Sequence, residues 1–193
     1  SYNSGSTSLL FRKKMAQKAF RTTAQYDSII SNWFKKDKDH YFKIKNHKKI
    51  NLKYGENPHQ KSFFYKRKNK KTFLDNVLQG KNISYNNILD IDSALNCLSE
   101  FVEPTCIIVK HNNPCGVSSS KKILTAYKKA YASDQISAFG GIVALNRLVT
   151  ANLARQISRN FFEIVMAKNF TNAALKIFNK KKKLIIIKSE KVL

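Results

Sequence analysis

A lysine and a histidine stand side by side at Lys110-His111, followed by Asn112, Asn113, Pro114, Cys115 and Gly116. An imidazole exchanges its proton near neutral pH, which suits it to general acid or base work. An ammonium beside it disfavours the imidazolium and leaves the imidazole free to accept a proton. The same lysine could neutralise an oxyanion or a phosphate. The preceding Ile107-Ile108-Val109 run is apolar and short, as a buried strand would be. Ligands of open α/β sheets sit beyond the carboxyl ends of the strands. The arrangement points to an enzyme site. Pro114 and Gly116 would equally serve a plain surface turn, and local mechanics leave both readings open.

Four further segments carry polar or backbone-special residues. Lys53-Tyr54-Gly55-Glu56-Asn57-Pro58-His59-Gln60 follows a short strand. Its lysine and tyrosine could hold an anionic substrate, or the segment could be a hairpin corner. Ser137-Ala138-Phe139-Gly140-Gly141 has paired glycines that let backbone approach a ligand, with no phosphate-loop spacing, and Asp134 beside it can cap a turn. Ser84-Tyr85-Asn86-Asn87 opens a helix; Ser84 or Asn86 is the natural cap, and an anion could meet the same end. Glu163 precedes the strand Ile164-Val165-Met166, where a carboxylate could bind sugar hydroxyls or be an edge charge. His40 and His47 lie in a charged stretch and read as solvated.

The elements that must position these groups follow from periodicity. From Ser8 to Phe34 the apolar residues Phe11, Met15, Ala19, Tyr26, Ile30 and Trp33 keep helical spacing. Arg21-Thr22-Thr23 between them could cap a second helix, so the stretch reads as two amphipathic helices or one with a break. Their stripe suggests the end of a domain whose body is missing. Lys35 to Lys49 reads as a solvated linker or charged hairpin. Ile50 to Tyr54 and Ser62 to Tyr65 are expected strands, and Lys66 to Lys71 a surface loop. Asn86 to Phe101 is expected as a helix, with Ile88, Ile91, Leu95 and Leu98 on one face and Asp90 and Asp92 near its positive end. Strands are expected at Thr105–Val109, Ile142–Leu145, Ile164–Ala167 and Leu184–Ile187, and helices at Ser119–Tyr131, Asn152–Arg159 and Asn172–Phe178. Such alternation makes an α/β layered domain with a largely parallel or mixed sheet.

The 193 residues carry a formal charge of +24, with 42% hydrophobic residues, enough for a core. The excess is nearly all lysine, spread along the chain with many asparagines and isoleucines, and arginines are few. Zinc-finger spacing, RNP-like aromatics and a GxxG clamp are absent, so specific nucleic-acid binding is not expected. Non-specific attraction to polyanions at low salt is. No apolar run approaches the ~20 residues of a membrane span. The start, Ser1-Tyr2-Asn3-Ser4-Gly5, lacks signal-peptide order and an initiator Met, so the chain reads as cytoplasmic and as a piece of something longer. Cys97, Cys106 and Cys115 form no CxxC pair, so neither disulfides nor a structural zinc site is expected.

Four segments in this order are more specific than any one of them: LKYGENPHQ, LQGKNISYNNILDIDSA, CIIVKHNNPCGV and AYASDQISAFGGIVALN. Together they resemble the bifunctional purine-biosynthesis family that joins AICAR (5-aminoimidazole-4-carboxamide ribonucleotide) formyltransferase to IMP cyclohydrolase. The likeness runs from about Phe11 to the C-terminus.

The resemblance implies an α/β fold in which residues 1–36 are the closing helices of a methylglyoxal-synthase-like cyclohydrolase domain. Residues 37–49 are then a charged linker, and residues 50–193 the first, cytidine-deaminase-like half of the formyltransferase domain. It implies formyl transfer from 10-formyltetrahydrofolate, as co-substrate, to the 5-amino group of AICAR, with no metal. The zinc-deaminase pattern is absent, since Pro114-Cys115 lacks its second cysteine. It places the catalytic pair on Lys110 and His111, with Asn113 and Pro114 in the same turn. Substrate contacts fall on Lys53, Tyr54, Asn113, Phe139, Gly140 and Glu163. His111 would be the general base and Lys110 would stabilise the oxyanion. A homodimer or a complementing second half-domain is implied as partner, with no membrane. Cyclohydrolase activity is not expected, because most of that domain is missing. Lys53 stands where the family usually has arginine, which turns a planar two-point contact into a point charge. Lys168 replaces a usual proline, and a KNxRxL-like segment has become Lys182-Lys183-Leu184-Ile185-Ile186. Readings of another class are an inactive remnant, a structural subunit of a split enzyme, and a basic nucleic-acid-binding protein.

Overall fold

The computed structural model describes residues 6–34, 47–80 and 83–189. Two compact units divide the chain, Ser1–Lys45 and Asn46–Leu193. Among its described residues, the first contains the helix α1 (Leu9–Phe34). Ser8 caps it by accepting from the Phe11 N–H at 3.2 Å. The expected break at Arg21-Thr22-Thr23 does not form. Thr22 Oγ1 donates back to Lys18 O and Thr23 Oγ1 to Phe20 O, both at 3.1 Å. A hydroxyl bonded to the preceding turn no longer competes to start a new helix. His40 and most of the expected linker lie outside the described residues.

The second unit opens with an antiparallel ribbon, β1 (His47–Asn51) against β2 (Phe63–Arg67). It continues through a 3-10 turn at Phe73–Asn76 into β3 (Val77–Gln79), α2 (Tyr85–Ser99), β4 (Thr105–Lys110), β5 (Asn113–Ser119) and α3 (Ile123–Ser133). It closes with β6 (Ile142–Val149), α4 (Ala151–Ile157), β7 (Ile164–Phe170), α5 (Asn172–Phe178) and β8 (Ile185–Lys188). His47, expected in the solvated stretch, is half-buried on β1.

One sheet of order β3-β8-β7-β6-β4-β5 forms the centre. It is mixed: β6–β7 and β7–β8 are parallel, while β3–β8, β4–β6 and β4–β5 are antiparallel. Its middle strands alternate between two apolar faces. Cys106, Ile108, Val143, Leu145, Val165, Ala167 and Ile186 enter the core cluster shared with α3, α4 and α5. Ile107, Val109 and Ala144, with Ile142, Ile164, Met166 and Ile187, face the clusters that α2 helps to cover. A strand buried on both faces needs a continuous apolar run, which is what IIV and IVAL supply.

Two strands escape the periodicity. β3 has three residues, and its Gln79 Nε2 is fastened to the carbonyls of Phe178, Lys181 and Leu184 at 3.0–3.1 Å. β5 begins with Asn-Pro-Cys-Gly, which reads as a turn and displaces the start of α3 from the expected Ser119 to Ile123. It is an edge strand, where a proline's missing N–H is harmless. Gly116 is required there, since a Cβ would lie 2.1 Å from the Ala130 carbonyl oxygen of α3. Among the described residues, no helix is long and apolar enough to cross a membrane.

Candidate active site

Lys110, His111, Asn113, Gly140 and Glu163 gather along one edge of the central sheet, with Lys53 and Tyr54 lining a cleft beside Glu163. β4 delivers its carboxyl end there, at Lys110. β6 runs antiparallel to β4 and so brings its amino end, after Gly140-Gly141. β7 and β8 follow β6 in direction and bring Glu163 and the residues before Ile185. The carboxyl-end rule of open parallel sheets is therefore met by β4, whereas the parallel trio presents its amino ends. A segment's position after or before a strand could not reveal this; strand direction does.

β4 turns into β5 through two residues, His111 and Asn112, with φ of 52° and 63°. Two consecutive left-handed residues between paired Lys110 and Asn113 make a type I′ hairpin, normally the preserve of Asn-Gly. The left-handed region costs a non-glycine residue roughly 1–2 kcal/mol, so the turn needs support. Three bonds supply it. The Asn112 N–H donates to Asp90 Oδ1 at 2.6 Å, Ser93 Oγ donates to Asn112 O at 3.1 Å, and Asn113 Nδ2 donates to His111 O at 3.0 Å. His111 itself is exposed.

Lys110 Nζ donates to Gly140 O at 2.8 Å. An ammonium has three donors, so two remain for a ligand. Gly140 has φ of 68°, and a Cβ on it would lie 3.1 Å from Lys110 Nζ and 3.3 Å from the Phe161 ring. Its N–H donates to Phe161 O at 2.8 Å. Lys110, His111, Asn113, Cys115 and Phe139 line a common cavity of about 330 Å³. Burial pushes the Cys115 thiol up, which leaves it a poor nucleophile. Asp134 caps the neighbouring turn, accepting from the Ser137 N–H at 2.9 Å, and hydrogen bonding from the Ser137 side chain and then its backbone holds the carboxyl below the usual value.

Lys53, Tyr54 and Glu163 line a second cleft of about 780 Å³, with Asn87, Phe161, Lys182 and Lys183. Glu163 Oε2 accepts from Asn87 Nδ2 at 2.7 Å. Asn87 is also half of a capping box: Ser84 Oγ accepts from the Asn87 N–H at 3.2 Å, and Asn87 Oδ1 accepts from the Ser84 N–H at 3.1 Å. The Lys53-Tyr54 segment is tied to the same helix start. Its Lys53 N–H donates to Ile83 O, and Tyr54 O accepts from the Tyr85 N–H. The Lys53 ammonium lies 5.2 Å from the Tyr54 ring centroid, within cation–π range. Lys81 and Asn82 lie outside the described residues.

The predicted residues thus fall into two groups. Lys110, His111, Asn113 and Phe139 share one cavity; Lys53, Tyr54 and Glu163 share the other. Gly140 and Phe161 join them, with the Phe139 and Phe161 ring centroids 5.1 Å apart. Sequence reasoning placed Asn87 only in the helix-opening segment, without its link to Glu163, and missed the roles of Asp90, Ser93 and Phe161. Asp90 reads as a dipole-favoured acid, yet it is buried beside Ile91 and Ala94 on the inner face of α2. Burial raises its carboxyl above the usual value, while the Asn112 N–H, Lys110 and His111 pull it back. A carboxylate three residues before Ser93 and three after Asn87, on a helix's apolar side, was the available signal. Among the described residues, no cluster of His, Cys, Asp and Glu could hold a metal ion.

Residues 1–193 match the family model described as AICARFT/IMPCHase bienzyme. The bifunctional purine biosynthesis protein PurH of Caldicellulosiruptor bescii is 48% identical over 95% of this chain and 38% of its own length. That of Buchnera aphidicola subsp. Schizaphis graminum is 44% identical over 96% of this chain and 38% of its own. That of Rhizobium leguminosarum bv. trifolii is 42% identical over 97% and 36%. The chain spans about 38% of the length of the first of these relatives.

Proposed function

The chain belongs to the AICARFT/IMPCHase bienzyme family, and from that premise we propose that it carries the catalytic turn of AICAR formylation in purine biosynthesis. Residues 50–193 are then the first, cytidine-deaminase-like half of the formyltransferase domain, and α1 is a closing helix of the cyclohydrolase domain. The observation that carries the reading is the meeting of Lys110, His111 and Asn113 in one cavity, joined through Gly140 and Phe161 to the Glu163 cleft.

The AICAR amine is conjugated into an electron-poor ring and is a weak nucleophile. His111 takes up its proton as it attacks the formyl carbon of 10-formyltetrahydrofolate, a contribution of roughly 10²–10⁴-fold. The tetrahedral adduct then collapses by breaking the bond between the formyl carbon and the folate nitrogen. The proton held by exposed His111 passes, directly or through solvent, to that departing nitrogen. Lys110, anchored on Gly140 O, aims its remaining N–H groups at the developing oxyanion, an effect of comparable or larger size. Phe139, exposed beside the cavity, suits a flat ring. Glu163, oriented by Asn87, receives ribose hydroxyls, and Lys53 and Tyr54 hold the phosphate side of the substrate.

Calorimetric titration of AICAR into the purified chain, with and without a supplied second half-domain, tests the reading. Binding that appears or tightens with the partner supports a composite formyltransferase site. A folded chain that binds AICAR in neither case makes the turn a relic and the chain a structural remnant.

A further inference from the structure

α2 reaches both cavities with polar side chains three residues apart. Asn87 orients Glu163, Asp90 holds the Asn112 N–H, and Ser93 holds the Asn112 carbonyl. Asn112 is therefore held at both its backbone N–H and its carbonyl, in the two successive peptide groups it joins, by one turn of one helix. Asp90 and Asn87 are buried among Ile91, Ala94 and Leu98, which seat the same helix on the sheet. The grip is thus referenced to the core rather than to a mobile surface. The hairpin it holds is one that His and Asn do not favour by themselves, at φ of 52° and 63°. Where strain is kept, the surroundings must over-determine it.

We propose that Asp90 is a positioning residue: through the Asn112 N–H it keeps the His111-Asn112 turn left-handed, and with Ser93 it makes α2 the ruler that sets His111 relative to Glu163. A charge-assisted bond to a backbone N–H is the strongest single hold available to such a turn. The Lys110 ammonium is the cation that compensates the buried carboxylate, with the His111 side chain beside it, and Glu163 is the charge opposing them. That the turn presents a catalytic base rests on the function proposed above; that Asp90 fixes its geometry does not.

The test uses the unliganded chain. In Asp90→Ala, NMR amide exchange at residue 112 accelerates about tenfold or more, the loss expected for a hydrogen bond to a charged group. The His111 Cα shift moves away from its left-handed value, while the amides of Ile107 and Ile108 stay protected. Adding Asn112→Gly, which makes the type I′ turn favourable without support, returns the His111 shift towards the wild-type value. A packing role for Asp90 would not be rescued by a glycine in the turn. A folded Asp90→Ala with unchanged residue 112 exchange, or a double variant without recovery, overturns the proposal. Should Asp90→Ala not fold, Ser93→Ala carries the test, with a smaller His111 shift in the same direction expected and an unmoved one overturning it. AICAR titration of the wild type reports separately on the function: its failure alongside glycine rescue would sink the formyltransferase reading and leave the positioning role standing.

Discussion

Around His111 the polar groups sit on backbone held at positive φ, at the tip of a hairpin whose second strand is the sheet's edge. Around Glu163 they sit on an ordinary helix cap and on an extended segment bonded to it. The first arrangement stores strain and aims a histidine outward; the second is relaxed and broad, with lysines on its rim. Groups that must act on a reacting atom need a fixed direction, whereas groups that grip a ribose phosphate need reach and charge. A single helix serves both, since Asn87 faces the relaxed cleft and Asp90 the strained turn. The two cavities differ in what substitution should do to them.

The sharpest contrast is kinetic. In the complemented enzyme, His111→Ala is expected to lower kcat by roughly 10²–10⁴-fold with little change in KM. Glu163→Gln is expected to raise KM more than it lowers kcat. Steady-state kinetics of both variants decide, and a pure KM effect at His111 would erase the distinction.

Gly140 belongs to the seam between the cavities. Gly140→Ala puts an L side chain at φ of 68° and a methyl against Lys110 Nζ and the Phe161 ring. A loss of roughly 1–2 kcal/mol is expected from the left-handed backbone alone, read by urea denaturation. Weaker AICAR binding is expected to accompany it, as Lys110 is displaced. Asn87→Ala should cost roughly 1 kcal/mol through the lost capping box and free Glu163. It should leave the His111 NMR shifts in place, because Asp90 and Ser93, not Asn87, hold the Asn112 turn.

The smallest effect is a pH dependence at Asp90. Its folded carboxyl titrates above the ordinary value because it is buried. Between those two values the folded state binds the extra proton, so stability falls as pH rises through that window and levels off above it. Asp90→Asn removes the term. The wild type minus Asp90→Asn difference in denaturation free energy should therefore decline with rising pH from about pH 4. A difference that rises instead would mean the carboxylate is net stabilised in place.

Much of the fold was legible because its signals are local. The helix at Asn172–Phe178 has the bounds expected of it, and Thr171 Oγ1 accepts from the Ala174 N–H at its start. Four core strands follow from short apolar runs, each with its observed end within four residues of the expected one. β5 was hidden by its proline and glycine, which mark a turn unless an edge position and a close helix make them necessary. The hydroxyls of Thr22 and Thr23 suggested a helix start that their backward bonds cancel. Asp90 was hidden differently: an acid near a helix start is explained well enough by the dipole that its burial goes unsuspected.

That Lys110 and His111 are neighbours, that an apolar strand delivers them, and that a cap at Ser84 or Asn86 opens a helix was legible in the sequence. Each depends on residues a few positions apart, whose covalent spacing limits the outcomes. Tertiary packing set β6 against β4 and so placed Gly140 on Lys110, 30 residues away. It alone brought Asn87 to Glu163 across 76 residues and Asp90 to Asn112 across 22. Strand order and direction are settled by which apolar faces pack together, and that choice is made by the whole core at once.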